Sequence, residues 1–114
     1  MNDCIFCSIA NRKIPAELIV ETDTLVAFHD LNPQAPQHVL LIPKKHIATL
    51  DGAGDEDRAV LGDLLLAAAE IARRLGFAEA GYRTVINCNQ NGGQSVYHLH
   101  VHVLGGRALE WPPG

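Results

Sequence analysis

Five consecutive residues, His98-Leu99-His100-Val101-His102, carry the densest chemistry in the chain. In a strand, side chains alternate faces, so the three imidazoles share one face while Leu99, Val101 and Val103 share the other. Successive rings then stand roughly 7 Å apart. Imidazole, with an ordinary pKa of about 6.5, offers a lone pair at neutral pH to a metal ion or an electrophile. Three such rings on one face of a core strand all need partners, and repulsion opposes charging them together. A purely structural role explains them poorly. Chelation of a metal is one functional reading. The other is a nucleophilic site, in which one ring attacks while its neighbours bind charge or move protons.

The residues just before the histidines favour the second reading. Gly92-Gly93-Gln94-Ser95 combines two glycines, which permit close backbone approach, with the Ser95 hydroxyl and several N–H donors. A phosphate oxygen wants such a set. Cys4-Ile5-Phe6-Cys7 is a second constellation, with the spacing of half a zinc site. A redox role for this pair lacks a thioredoxin-like context. Cys88 reads as a small buried or partly buried residue.

Composition bounds the partners. The 114 residues suit one domain, 1–114, and 47% of them are hydrophobic, enough for a core. A formal net charge of -4 argues against a general nucleic-acid binder or an anionic-membrane binder. Met1-Asn2-Asp3-Cys4 has no basic n-region, and no apolar run approaches the roughly 20 residues of a membrane span. Cytoplasmic residence is the expectation.

The elements that must position these groups follow from periodicity. Ile5, Phe6, Ile9 and Ile14 predict a short helix stopped by Pro15. Leu18–Glu21 and Leu25–His29 read as a hairpin, residues 30–37 as a loop, and His38–Ile42 as a buried strand ended by Pro43. Val60, Leu61, Leu64, Leu65, Ala68, Ile71, Ala72 and Leu75 line one face of a long helix. Asp55, Glu56 and Asp57 open it, and Gly76 stops it. Tyr82–Asn87 is a strand, and Val96–Leu104 is expected to be the longest one. Without a regular βαβ rhythm, the class is α+β with an antiparallel sheet. The helix stripe exceeds what one sheet face covers, which a dimer would remedy.

The stretch from Gly92 to Gly106 resembles the signature of the histidine triad family. The likeness extends to Ile14-Pro15-Ala16, Phe28-His29-Asp30, Gln34-Ala35-Pro36, the segment from Ile42 to Ile47, and Trp111-Pro112-Pro113-Gly114. The tail is similar to the nucleoside phosphoramidase branch. The resemblance implies a five-stranded antiparallel sheet with one long and one short helix, paired as a homodimer. It implies hydrolysis of a phosphorus–nitrogen bond joining a purine nucleoside monophosphate to an amine, through a nucleotidyl intermediate on His100. Nucleotide binding without significant turnover, cleavage of dinucleoside polyphosphates, and a metal held by the triad itself are the rival expectations.

Residue by residue, the resemblance gives His102 and the backbone near Gly93 and Ser95 to the nonbridging oxygens. Ser95 becomes a route for the proton to the departing amine. His38, which alone would read as a structural strand-edge histidine, enters the nucleophile's proton relay. Asp30 takes the ribose hydroxyls, a sensible role for a carboxylate. Phe6, Ile9, Phe28, His29 and Leu31 form the base slot, Asn87 lies near ribose and phosphate, and Trp111 reaches the neighbouring subunit's site. Family members bearing the cysteine pair complete it with histidines equivalent to His46 and His98. The implied cofactor is therefore a structural zinc held by Cys4, Cys7, His46 and His98.

Overall fold

Runs such as Ile19-Val20, Leu25-Val26 and Val39-Leu40-Leu41-Ile42 suit a pleated, buried surface. The computed structural model, which describes residues 4–114, folds them as strands. They are β1 (Leu18–Glu21), β2 (Leu25–His29), β3 (Gln37–Pro43), β4 (Tyr82–Val85) and β5 (Val101–Gly105). All pair antiparallel in one sheet of order β1-β2-β3-β5-β4. Helix α1 (Ile5–Ala10) and helix α2 (Arg58–Arg74) complete the α+β architecture.

Alternation assigns each face its own work. Leu25, Ala27, Val39, Leu41, Leu99, Val101 and Val103 pack with Leu64, Ala68, Ile71 and Ala72 of α2. Each fully buried Leu or Ile here contributes about 1.5–3 kcal/mol relative to exposure. On the opposite face, Val26, Phe28, Leu40 and Ile42 meet Phe6 and Ala10 of α1. His38 lies two residues before Leu40, and Leu40 pairs with His102, so both histidines rise on the α1 face.

Helix α1 is shorter than expected. It closes at Asn11, after which Arg12 adopts φ 58° and the Lys13 and Ile14 amides both return to the Ser8 carbonyl. Six residues are too few for a helix that stands alone in water. Burial of Phe6, Cys7 and Ala10 holds it to the sheet. The three acidic residues form a 3-10 turn ahead of α2 rather than its first turn. There the Asp57 carboxylate accepts the Gly54 amide at 3.0 Å and Lys45 Nζ at 2.6 Å. At the other end, Gly76 takes φ 86° and the Phe77 amide reaches back to the Ala72 carbonyl, a glycine stop.

The last strand corrects the sequence expectation. It begins at Val101, not Val96, and β4 ends at Val85, not Asn87. In the β3–β5 register Leu41 faces Val101, which would set Pro43 opposite Leu99. Proline has no N–H to continue that ladder. Its carbonyl accepts from His98 Nε2 at 2.8 Å instead, and the Leu99 amide turns to the Ile47 carbonyl at 2.6 Å. His98 and His100 therefore sit on irregular backbone leading into the strand.

Part of α2 remains outside the core: Leu65 of the stripe is 48% exposed and Leu66, beside the stripe, 72%, while β4 presents one open edge. Among the described residues no helix is long and apolar enough to cross a membrane.

Candidate functional site

The α1 face opens into a cleft of about 620 Å³ between α1, the loop after β2, and the start of β5. Its walls include Phe6, Ile9, Phe28, His29, Asp30, Leu31, His38, Ser95, His100 and His102. Ten of the expected site residues are thus brought together. The volume suits a ligand of nucleotide size. One end is apolar, with Phe6 edge-on to Phe28 at 5.7 Å between centroids and to His100 at 5.1 Å. The other end gathers the histidines and Asp30.

Tautomers in this cluster follow from their fixed partners. The carbonyl of His98 can only accept, so His100 Nδ1, 2.8 Å away, carries the hydrogen. His100 Nε2 then holds the ring's lone pair. The Gln34 amide donates to His38 Nδ1 at 3.0 Å, which leaves the hydrogen of neutral His38 on Nε2. His38 Nε2 donates to His102 Nδ1 at 2.9 Å, with Asp30 Oδ2 at 3.4 Å beside it. His102 consequently presents Nε2–H. One ring offers a lone pair, and its neighbour offers a donor.

Charge states agree with that assignment. Burial, reinforced by the proximity of His100 and His38, lowers the pKa of His102 to about 4 despite the opposing pull of Asp30. Burial also lowers His38, again against Asp30. Both rings are neutral at pH 7. The triad rings crowd more closely than an ideal strand allows, with His100 and His102 centroids 4.9 Å apart. The broken ladder before Val101 permits this approach.

Three expected contacts lie outside the cleft wall: Asn87, Gly93 and Trp111. The Gly93 amide is already donated to the Gln90 carbonyl at 3.0 Å, and the Gln94 amide to Asn89. Of the groups expected to bind phosphate oxygens, Ser95 and His102 line the cleft that His100 also lines. Trp111 is 81% exposed, with the Arg83 guanidinium 6.0 Å from its ring centre.

Two contributors escaped the sequence reading. Gln34 acts through its backbone amide, which no residue type announces. Gln94 is buried, and its side chain ties the Asn89 amide to the Ala48 and Val96 carbonyls, bracing the loop before Ser95. Its place directly after Gly92-Gly93 was the only signal the sequence offered.

A second cluster adjoins the first. Cys4 Sγ lies 3.3 Å from His98 Nδ1, Cys7 Sγ lies 3.1 Å from His46 Nδ1 and 3.4 Å from His98 Nδ1, and the two Nδ1 atoms are 3.2 Å apart. All four donor atoms fall within 4.8 Å of one another. Zinc bonds of 2.0–2.3 Å in a tetrahedron require neighbouring donors about 3.3–3.7 Å apart. These side chains fit that ion. The His98 Nε2–H bond to the Pro43 carbonyl leaves Nδ1 as the nitrogen that would take a metal, the usual outer support of a metal-bound imidazole. Burial lowers the His98 pKa, keeping it neutral as a ligand must be. Asp30, His38 and His102 also bring three donor atoms together, but the His38–His102 hydrogen bond already explains their approach.

A cleft of nucleotide size floored by alternating histidines defines a class, and comparison with known proteins names it. Residues 11–109 match the HIT domain, and the chain belongs to the HIT, or histidine triad, family. An uncharacterised HIT-like protein of Synechococcus elongatus is 55% identical over 98% of this chain and 97% of its own length. A HIT family hydrolase of Legionella pneumophila superposes with a TM-score of 0.96 at 50% identity, covering 98% of this chain and all of that one. A histidine triad protein of Clostridium difficile gives 0.93 at 43% identity, covering 96% of each chain.

Proposed function

We propose that the protein hydrolyses purine nucleoside phosphoramidates, cleaving the bond between the α-phosphorus and an amine nitrogen. The observation that carries this reading is the 2.8 Å bond from His100 Nδ1–H to the His98 carbonyl, which leaves Nε2 of a cleft-lining ring as a lone pair. That nitrogen attacks phosphorus, the phosphorus–nitrogen bond to the amine breaks, and the amine departs with a proton supplied through Ser95. The resulting cationic nucleotidyl-imidazole keeps its Nδ1 hydrogen on the His98 carbonyl. Water then adds to phosphorus, passing one proton back along the Ser95 route to replace the one the amine carried off. The bond to His100 breaks, and the monophosphate leaves as His100 regains its lone pair. Dividing one displacement into two lets a single ring serve both halves.

His102 Nε2–H and Ser95 bind the nonbridging oxygens where charge builds. Asp30 receives the ribose hydroxyls, and Phe6, Ile9 and Phe28 enclose the base. Asn87, Gly93 and Trp111 would join only through loop adjustment or a second subunit. That subunit is a second copy of this chain, seated on the open β4 edge and the Leu65–Leu66 face of α2. Zinc is the fitting occupant of the Cys4–Cys7–His46–His98 cluster, where it cross-links α1 to the sheet as a structural ion.

The enzymatic reading is tested with adenosine and guanosine 5′-phosphoramidates against diadenosine polyphosphates. The expected result is kcat/KM at least about 100-fold higher for the phosphoramidates, a gap of nearly 3 kcal/mol. Faster cleavage of the polyphosphates would move the protein to a different reaction, and tight binding without turnover would make it a nucleotide-binding module. Leu66→Glu should convert a sedimenting dimer to monomer. An unchanged dimer would remove that face from the interface.

A further inference from the structure

The hydrogen-bond relay that sets His102 does not end at His38. Gln34, whose amide donates to His38 Nδ1, has its carbonyl held by two donors of one guanidinium, Arg107 Nε at 3.2 Å and Nη2 at 3.0 Å. Arg107 Nη1 adds a third bond, to the Ala108 carbonyl at 3.1 Å. A planar fork held at three points fixes direction as well as distance. The surrounding backbone is close-fitting. Gly106 has φ 88°, and a Cβ there would come within 2.9 Å of Pro36 Cβ, so the exit of β5 lies directly against the Gln34 loop. Within that loop, Asp30 Oδ1 accepts the Asn32 amide at 2.8 Å and Gln34 Nε2 reaches the Asn32 carbonyl at 3.0 Å.

We propose that Arg107 is a positioning residue for the reaction. By gripping the Gln34 carbonyl, it aims the Gln34 amide at His38 and so locks the tautomers of His38 and His102. The relay has a single direction because each link has one donor and one acceptor. If the Gln34 amide swings away, His38 Nδ1 is free to carry the hydrogen, and His38 Nε2 becomes an acceptor. His102 Nδ1 must then donate, and its Nε2 turns from a donor into a lone pair facing the phosphate oxygens. Asp30 opposes this reversal, since its Oδ2 near His38 Nε2 favours a hydrogen there. Loss of Arg107 therefore mixes the tautomers rather than inverting them.

The consequence for turnover rests on the hydrolase reading, but the tautomers belong to the resting protein. The test is a long-range proton–nitrogen NMR spectrum of the imidazoles in wild type, Arg107→Ala and Arg107→Lys, with kcat and KM measured on an adenosine phosphoramidate. Arg107 is exposed, so neither substitution disturbs the core. Wild type should show one tautomer each at His38 and His102. Arg107→Ala should show mixed tautomers, kcat about five- to tenfold lower, and KM within about twofold, the loss expected of one weakened hydrogen bond. Arg107→Lys, which keeps the charge but not the fork, should fall between. Unmixed tautomers in Arg107→Ala, whatever its rate, would overturn the proposal, as would mixed tautomers with an unchanged kcat. A wild type without turnover defeats the hydrolase reading instead, and the spectra alone then decide whether Arg107 holds the relay.

Discussion

Two clusters of histidines meet at one residue, yet they are built in opposite ways. Around His98, four donor atoms from α1, the segment after β3 and the entry to β5 turn inward on one another. Around His100 and His102, the ring nitrogens are steered by backbone carbonyl and amide groups so that one lone pair and one donor remain for a ligand. His98 serves both, giving its ring to the first cluster and its carbonyl to His100. The difference shows how one residue type divides its labour. In the proposed reaction the ring with a nitrogen held open is the reactive one, and rings with both nitrogens committed hold or position their neighbours.

Breaking the open cluster should have the largest effect. His100→Ala is expected to lower kcat about 10⁴-fold or more, since it removes the atom proposed to attack phosphorus. The variant should keep its thermal midpoint within a few degrees and its metal content, read by elemental analysis. Metal lost together with activity would mean the triad itself ligates the ion. Cys7→Ser breaks the closed cluster and should do the reverse. We expect the metal to be lost and stability to fall by at least about 2 kcal/mol, on the order of 10 °C. Turnover should be reduced about tenfold but not abolished, because the His98 carbonyl still holds His100. A thermal midpoint unmoved by this change would show that no ion braces α1.

A smaller effect reads the open cluster by pH, through the difference between wild type and a His102 variant. His102 binds its proton less readily folded than unfolded, so its stabilising contribution is complete above about pH 6.5 and is lost as pH falls toward about 4. The loss across that window is about 1–2 kcal/mol, discounted because the ring is only partly buried. Thermal melts of His102→Gln should show a flatter slope there than wild type. Equal slopes would contradict a neutral, partly buried His102. Asp57, held low by Lys45 and the Gly54 amide, and Glu21, held low by Lys44 and Arg12, act only below the ordinary carboxylate range. Their contributions disappear at lower pH and do not confuse the comparison.

Side-chain chemistry made the fold and the site legible to different degrees. The nearly continuous apolar run His38–Ile42 and the periodicity from Val60 to Ala72 announced a buried strand and the long helix correctly, because burial enforces both patterns. The His-x-His-x-His spacing and the Cys4–Cys7 pair located the two clusters. What the residues did not announce were backbone events. Pro43 ends the ladder opposite Leu99 and so moves the start of β5 to Val101. Gln34 and Pro43 contribute only an amide and a carbonyl. Gly93 was expected to offer its amide to phosphate and spends it on Gln90, since a glycine at φ 80° closes its own turn. Trp111 could not be placed from one chain, because its expected destination is a second subunit.

The central claim is that His100 becomes covalently nucleotidylated while its neighbour His98 does not. Rapid quenching of the zinc-loaded protein with an adenosine 5′-phosphoramidate, followed by peptide mass analysis, tests it most directly. A nucleotidyl adduct on His100 that forms and decays at rates matching turnover, and is absent from His100→Ala, is the expected result. Turnover with no adduct, or with the adduct on His98, His102 or Ser95, would contradict the account.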